Sequence, residues 1–167
     1  FIEILMIIYN YLFVDNLEKL KSNKIIYRIQ KKNYNLGTEL LDENLRKFMN
    51  VINSESSIYS YFKESHDMLV VAKYTHATSP IRRIIDLINQ ALYYNSLEKL
   101  NNTIQNLDYV NTFNKKLKKF YRKRNKLYLA KKLHSDTYKE YSGYIYDHSD
   151  DKIYIYLDEE GMNFSYK

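Results

Sequence analysis

The first twenty residues carry apolar side chains at spacings of three and four, which is the pattern of a helix with one buried face. Glu3 and Asn10 are seven residues apart and therefore share a face of this helix. A turn is predicted at 33–37, and a weaker helical pattern follows from Glu39 to Ile52. The positions that define the first pattern are Ile2, Leu5, Met6, Tyr9, Phe13, Leu17 and Leu20.

Two further helical stripes lie in the middle of the chain. An apolar run from Leu69 to Ala72 predicts a short strand or a buried extended segment, and the first stripe begins after the proline turn that follows it. A polar loop around Asn101 separates this stripe from a long predicted helix between Asp108 and Leu133. The two stripes consist of Ile81, Ile84, Ile85, Ile88 and Leu92, and of Val110, Phe113, Leu117, Phe120 and Leu127.

After Ser142 the period of the pattern changes to two, which is typical of strands. The alternating stretch predicts a β-hairpin whose two strands are joined through His148 to Asp151. Tyrosines recur on one side of this hairpin, where they form either a surface for stacking or one buried face; they are Tyr144, Tyr146, Tyr154 and Tyr156.

Composition permits one ordinary domain with a core, because 167 residues with 45% hydrophobic side chains can bury enough surface to fold. The net charge of +6 favours a polyanionic partner. The charge is uneven: ten basic and no acidic residues lie between Lys115 and Lys132, whereas eight acidic and two basic residues lie between Asp136 and Glu160. The lysine-rich segment is either a solvated helix face or a contact for a nucleic-acid backbone.

Several classes of protein are excluded. The chain has no cysteine, and hence no disulfide, zinc–thiolate site or cysteine nucleophile, which is compatible with a reducing compartment such as the cytoplasm. Charged and polar residues interrupt the apolar start well before the roughly 20 residues that a membrane helix needs, so no membrane partner is expected. No P-loop, glycine-rich dinucleotide motif or Ser-His-Asp signature is present.

The segment from Tyr74 to Gln90 carries the most specific chemistry in the chain. A helix that starts at Pro80 would take Thr78 or Ser79 as its N-cap. Proline would then occupy the first turn, where a missing N–H group has no cost. The segment therefore predicts a well-defined helix start.

Two adjacent arginines follow this predicted start. Arg82 and Arg83 would lie near the positive end of the helix dipole, so an anion such as phosphate is the expected partner. The alternative is an ion pair of either arginine with Asp86, although the basic-before-acidic order is the weaker orientation on a helix.

The same segment resembles the signature of the ribonuclease II (RNB) family, Tyr-x-His-Phe-Thr-Ser-Pro-Ile-Arg-Arg-Tyr-x-Asp-Leu. The stretch from Ile2 to Asn10 is similar to the family's Glu-Glu-x-Met-x-x-Ala-Asn helix, and the stretch from Ile25 to Gln30 resembles its Tyr-Arg-Val-His strand. All three occur in the expected order. Signature residues in agreement are Tyr74, His76, Thr78, Ser79, Pro80, Ile81, Arg82, Arg83, Asp86 and Leu87.

The resemblance implies catalytic roles for Arg82 and Glu3. Arg82 would clamp the 3′ end of RNA near the scissile phosphate, because a planar guanidinium pairs with two phosphate oxygens. Glu3 would line the active-site end of an RNA channel; the alternative is a solvent-exposed position at the start of a helix. Residues expected to bind RNA are Tyr74, His76, Thr78, Ser79, Arg82 and Arg83. For Tyr74 and His76, packing beside a turn is the alternative.

The resemblance also implies a fold. We expect an α+β chain in which residues 1–135 form the mainly helical C-terminal part of an RNB catalytic domain, with the N-terminal part of that domain missing. Residues 142–167 would form a partial OB-like β segment, a hairpin that begins an OB-fold barrel.

The implied activity is that of a 3′→5′ exoribonuclease, which hydrolyses single-stranded RNA processively to nucleoside 5′-monophosphates. Mg²⁺ is the implied cofactor, and an aspartate cluster would hold it. The sequence contains no such cluster, so we expect the ligands upstream of Phe1, no metal ligand within this chain, and no activity from these 167 residues alone.

Departures from the family pattern leave a second reading open. They occur at Ile4, Gln30, Ala77 and Ile84, and they suit an RNB-like protein that binds RNA without cutting it. A helical protein with a chance motif is the third reading; it predicts no salt-sensitive affinity for RNA.

Overall fold

The computed structural model describes residues 1–21, 24–32, 42–96, 106–135 and 140–167. Its helices are α1 (Ile2–Lys19), α2 (Glu43–Ile52), α3 (Ile84–Tyr93) and α4 (Leu107–Ser135), with a 3₁₀ turn at Asp67–Leu69. Its strands are β1 (Tyr27–Ile29), β2 (Ile58–Ser60), β3 (Gly143–Ser149), β4 (Lys152–Leu157) and β5 (Met162–Tyr166). This mixture of helices and antiparallel strands confirms the predicted α+β class. The turn predicted at 33–37 and the loop predicted around Asn101 lie outside the described residues.

The chain divides into two compact units. The first lies within Phe1–Tyr34 and Asn53–Thr112, and the second lies within Asn35–Ile52 and Phe113–Lys167. This division differs from the predicted domains at 1–135 and 142–167, whose assignment to a catalytic domain and an OB-type barrel stays a prediction.

The core of the first unit forms on both faces of a short sheet. Strand β1 pairs antiparallel with β2, and Arg28 lies opposite Tyr59. Side chains alternate along a strand, so neighbouring residues of β1 enter different surroundings. One face packs against α1, and the other begins with Ile26, which packs against α3. The first cluster contains Phe13, Val14, Leu17, Ile25, Tyr27, Ile29 and Ala77, and the second contains Ile26, Tyr59, Ile85, Ile88 and Leu107.

Helix α1 is buried on a narrower face than its pattern predicts. Phe13 and Leu17 are buried as expected, and Asn10 and Val14 join them. The remaining residues of the predicted face are wrong as core positions. Ile2, Leu5, Met6 and Tyr9 are exposed because the core cluster contacts only the C-terminal half of the helix, and Leu20 is exposed because it follows the last residue of α1. In the part of the chain that the structure describes, no helix has both the length and the hydropathy to cross a membrane.

The predicted helix start at Pro80 is wrong, since α3 begins at Ile84 with Arg83 as its N-cap residue. Pro80 instead opens a single turn, in which the backbone N–H groups of Arg82 and Arg83 donate to the Ser79 carbonyl at 3.2 and 3.0 Å. The extended backbone of Arg83, with φ −133° and ψ 113°, separates this turn from the helix. Neither Thr78 nor Ser79 caps α3, and both arginines precede its first turn.

The predicted strand at Leu69–Ala72 is also wrong. Leu69 ends a 3₁₀ turn, and Val70 adopts a left-handed conformation with φ 54° and its side chain 91% exposed. The chain then closes on itself, because the His66 backbone N–H donates to the Val71 carbonyl at 2.9 Å. A β-branched residue is strained in this conformation, so a closed loop replaces the extended segment that paired valines suggest.

Helix α4 forms over the predicted range and extends it by one residue at the start and two at the end. Its predicted apolar line is wrong as a buried face: Phe113, Leu117, Phe120 and Leu127 are exposed, while Leu107 and Leu129 are buried. Helix α2 begins four residues after the predicted Glu39, and residues 39–41 lie outside the described part of the chain.

The predicted hairpin is confirmed in the second unit, where β3 pairs antiparallel with β4. A third strand, β5, pairs with the other edge of β4 and was not predicted. Phe48 of α2 stacks on Tyr156 with ring centroids 4.0 Å apart and meets the edge of Tyr146 at 4.9 Å. These two tyrosines therefore pack against a helix. The three strands do not close into a barrel.

Candidate functional site

A cleft of about 280 Å³ opens in the first unit. Residues from α1, β1, the closed loop at His66–Val71 and the segment after Lys73 meet around it. Its lining consists of Glu3, Met6, Ile7, Asn10, Arg28, Gln30, Ser57, His66, Leu69, Tyr74, His76, Thr78, Arg82 and Arg83. The structure thus brings together every predicted site residue except Ser79, which lies outside this lining.

Asn10 fixes the cleft end of α1 to the signature segment. Its side-chain N–H donates to the Tyr74 hydroxyl at 2.9 Å, and its carbonyl oxygen accepts from the Ala77 backbone N–H at 2.9 Å. Asn10 is buried, so these bonds are formed away from water. Glu3 lies two helical turns earlier on the same face and is exposed at the cleft, as their spacing predicts.

Asn89 holds the other side of the signature segment from α3. Its amide N–H group donates to the Thr75 hydroxyl at 2.7 Å and to the Ile26 carbonyl at 3.0 Å, and its oxygen accepts from the Ile26 backbone N–H at 3.2 Å. All three residues are buried. One side chain therefore joins β1, α3 and the cleft wall.

Arg83 forms the ion pair with Asp86 that was the alternative to phosphate binding. Its Nη2 donates to Asp86 Oδ1 at 2.8 Å, and its Nε lies 2.8 Å from Asp86 Oδ2 as an ion pair without hydrogen-bond geometry. The same guanidinium donates to Thr78 Oγ1 at 3.2 Å, and Asp86 also accepts from the Ser79 backbone N–H at 2.8 Å. Asp86 is fully buried, so its charge needs this partner.

Arg82 differs from its neighbour. It is exposed, it lines the cleft, and no carboxylate of the described residues pairs with it. Its guanidinium is therefore available to an anion that enters the cleft.

Arg28 is a cleft residue that sequence reasoning missed. Its guanidinium carbon lies 5.3 Å from the centroid of the Tyr59 ring, and its Nη2 donates to the Ser57 hydroxyl. The alternation along β1 could have revealed it: Ile26, Arg28 and Gln30 share a face, so an apolar strand turns polar on one side where the cleft begins.

Two histidines in the cleft are neutral at pH 7. Burial, followed by the charge of Arg28, lowers the pKa of His66 to about 4 and that of His76 to about 2. Burial raises the pKa of the Tyr59 hydroxyl, which lies 2.8 Å from His76 Nδ1 and shares a hydrogen bond with it. His66 Nδ1 is buried and has no hydrogen-bond partner among the described residues.

The charges of the cleft suit an anion. Of the residues that the structure describes, three arginines and one acid, Glu3, line it, and both histidines are uncharged. Within the ranges that the structure describes, no three His, Cys, Asp or Glu side chains are grouped so that they could hold a metal ion. The donors of the cleft therefore do not fit Mg²⁺, which prefers several carboxylate oxygens.

Solved structures with the same fold are ribonucleases. RNase R of Mycoplasma genitalium in complex with ribose-methylated single-stranded RNA is 22% identical, with a TM-score of 0.74 over 97% of this chain and 32% of that chain. The same enzyme in complex with double-stranded RNA is 21% identical, with a TM-score of 0.72 over 98% of this chain and 37% of that chain. An active-site mutant of the Dss1 exoribonuclease from Candida glabrata is 20% identical, with a TM-score of 0.77 over 98% of this chain and 23% of that chain.

This chain thus spans between 23% and 37% of the length of those solved chains. No curated protein sequence matches it. A family model described as the RNB domain matches residues 1–99, which is more than half of the chain and includes every residue that lines the cleft. The chain therefore belongs to the RNB domain family.

Proposed function

We propose that this chain forms the phosphate-clamping part of a 3′→5′ exoribonuclease that hydrolyses single-stranded RNA processively to nucleoside 5′-monophosphates. The observation that carries the proposal is Arg82, an exposed guanidinium without a carboxylate partner among the described residues, in a cleft of an RNB domain. A cytoplasmic location, expected from the lack of cysteine, stays a prediction.

The proposed roles follow from the contacts of each residue. Arg82 binds the phosphate next to the scissile bond, where its two-pronged N–H geometry stabilises negative charge as it develops. Glu3, exposed at the same cleft, accepts hydrogen bonds from sugar hydroxyls or water. His76 and Thr78 contact the RNA, and Tyr74 holds the cleft wall through Asn10.

Arg83 and Ser79 take indirect roles in this proposal. The ion pair of Arg83 with Asp86, together with the bond from the Ser79 N–H to the same carboxylate, fixes the turn that presents Arg82. Magnesium would polarise phosphate and activate water when bound. The described residues do not provide a group of ligands for it.

The test is degradation and binding of a single-stranded RNA labelled at its 5′ end, with the protein in its longest natural form. We expect the 5′ label to pass directly from full-length RNA to a short end product without a ladder of intermediates, while unlabelled nucleoside monophosphates accumulate from the earliest time points. An Arg82→Met variant should lose most of this activity. Arg46→Met is the matched control, because Arg46 is exposed on α2 and lies outside the cleft. RNA binding that is equal in wild type and Arg82→Met would contradict the proposal.

A second candidate is an RNA-binding protein of the same family that does not cut. The observation in its favour is the cleft itself, which has one acid and no metal-binding group among the described residues. It predicts RNA binding that depends on Arg82 but no monophosphate release when Mg²⁺ is added, so the same experiment separates the two functions.

A further inference from the structure

Arg28 is held rigidly at the cleft without a charged partner. Its backbone N–H donates to the Tyr74 carbonyl at 2.8 Å, so strand β1 fixes its position beside the signature segment. The guanidinium carbon lies 5.3 Å from the centroid of the Tyr59 ring, and the Ser57 hydroxyl accepts a hydrogen bond from Nη2. No carboxylate of the described residues pairs with it, although Lys31, Lys63 and Lys73 all have one. Because a half-buried, unpaired cation is costly, an anion is the missing partner.

Arg28 and Arg82 reach the cleft from different elements, strand β1 and the turn after Ser79. Their charges add to the effect of burial on different groups: Arg28 lowers the pKa of both His66 and His76, whereas Arg82 lowers that of His76.

A second polar group without a partner belongs to a residue of the same cleft. His66 lines the cleft and is only 5% exposed, and its Nδ1 atom lacks a hydrogen bond within the described residues. The closed loop from His66 to Val71 includes a left-handed Val70. Unsatisfied buried polar atoms usually signal a missing ligand or water, so the cleft contains two groups, the Arg28 guanidinium and His66 Nδ1, that an anion could satisfy.

We propose that Arg28 is a second phosphate-binding residue and that, together with His66, it holds a different phosphate of the RNA chain from the one bound by Arg82. The inference rests on the proposed function, since it extends the same site. With guanidiniums presented to one cleft by two different elements, the site would bind two phosphates of one strand and so set the path of that strand.

The experiment compares the affinity of wild type, Arg28→Met, Arg28→Lys and the control Arg46→Met for single-stranded RNA across a range of salt. We expect Arg28→Met to weaken binding about tenfold and to lower the slope of log affinity against log salt by about 0.7, the value for one phosphate contact on a single strand. Arg28→Lys should recover the slope but not the full affinity, because lysine lacks the fork. If the salt slope of Arg28→Met equals the salt slope of Arg46→Met, the inference is overturned.

A second measurement does not depend on RNA. Sulfate, a tetrahedral dianion, is titrated into the protein while the ring signals of His66 are followed by NMR, with chloride at equal ionic strength as control. An anion at Arg28 offsets the positive field of the guanidinium, so sulfate should raise the pKa of His66 in wild type and leave that pKa unchanged in Arg28→Met. If Arg28→Met does not fold, Arg28→Lys replaces it, and sulfate should raise the pKa of His66 less in that variant than in wild type. No response in wild type would contradict the inference. If sulfate shifts the pKa of His66 but the protein does not bind RNA, the anion site at Arg28 stands and the proposed function is wrong. If only Arg82→Met loses RNA binding, the proposed function stands and the inference about Arg28 is wrong.

Discussion

The fully buried carboxylate of Asp86 lies 2.8 Å from the guanidinium of Arg83. Arg82, the preceding residue, is exposed to the cleft and has no such partner in the described chain. Two adjacent residues of identical chemistry thus have separate tasks, because the extended backbone at Arg83 directs their side chains to different surroundings. This separation can be measured.

Arg83→Met should destabilise the protein by about 3 kcal/mol, because it leaves a buried carboxylate without its counter-ion. Chemical denaturation at neutral pH gives the free energy of unfolding directly. Arg82→Met is the matched control and should change that free energy by less than about 0.5 kcal/mol. Equal losses in the two variants would show that Asp86 does not depend on Arg83.

Arg82→Met, unlike Arg83→Met, should reduce activity on RNA while leaving the stability of the protein nearly unchanged. We expect turnover in the longest natural form of the protein to fall at least about a hundredfold, because loss of a charge-stabilising donor typically costs that much. Arg82→Lys should retain salt-dependent binding but lose turnover, since the ammonium cannot pair with two oxygens at once. If lysine restores full turnover, the bidentate geometry proposed for Arg82 is wrong.

Asn89→Leu should destabilise the first unit by about 3 kcal/mol. The substitution keeps the volume of the side chain but leaves the buried N–H group of Ile26 without its acceptor and removes one of the two hydrogen bonds that the Ile26 carbonyl and the Thr75 hydroxyl each form. Thermal unfolding measures the loss, and Asn125→Leu on the exposed surface of α4 serves as control. A loss below about 1 kcal/mol would mean that water replaces the amide.

Stability should fall in mild acid because folding lowers the pKa of both cleft histidines. An unfolded histidine takes up a proton near pH 6.5, whereas folded His66 does so only near 4 and His76 near 2. Their contribution is therefore fully present above the unfolded pKa and decreases as the pH falls below it. Each histidine should add about 1.4 kcal/mol per pH unit to the slope between roughly pH 6 and pH 4.

Denaturation series at several pH values test this expectation. His76→Phe, which cannot take up a proton, should remove about half of the slope while the other acid-dependent terms remain. An unchanged slope in this variant would show that His76 is not buried in its neutral form.

The family signature located the cleft, since Tyr74, His76, Thr78, Arg82 and Arg83 all line it. Capping rules placed the helix start four residues too early, because they consider only local residues and cannot include a carboxylate that reaches back from Asp86 to the Ser79 N–H. The strand predicted at Leu69–Ala72 is wrong for a similar reason. The β propensity of the paired valines is a weak preference, and the hydrogen bond from the His66 N–H to the Val71 carbonyl, which closes the loop, outweighs it.

Helical periodicity predicted the extent of α4 well and its buried face poorly. A stripe of Phe113, Leu117 and Phe120 establishes that a helix is amphipathic, but burial depends on whether another element covers it. Arg28 was within reach of the sequence, since an arginine alternates with apolar residues in a short strand, yet only the structure shows that its side of the strand opens into the cleft.

The hydrogen bonds that assemble the cleft connect positions 49 to 67 residues apart, from Asn10 to Tyr74 and Ala77 and from Ile26 to Thr75 and Asn89. Contacts of such long range form late, after the entropy of closing large loops has been overcome. A nascent chain therefore has no partial version of this binding site. By the same linkage, a nucleic acid bound in the cleft raises the stability of the first unit as a whole, so protection of the Ile26 and Ala77 amides from hydrogen exchange reports occupancy at a distance from the ligand.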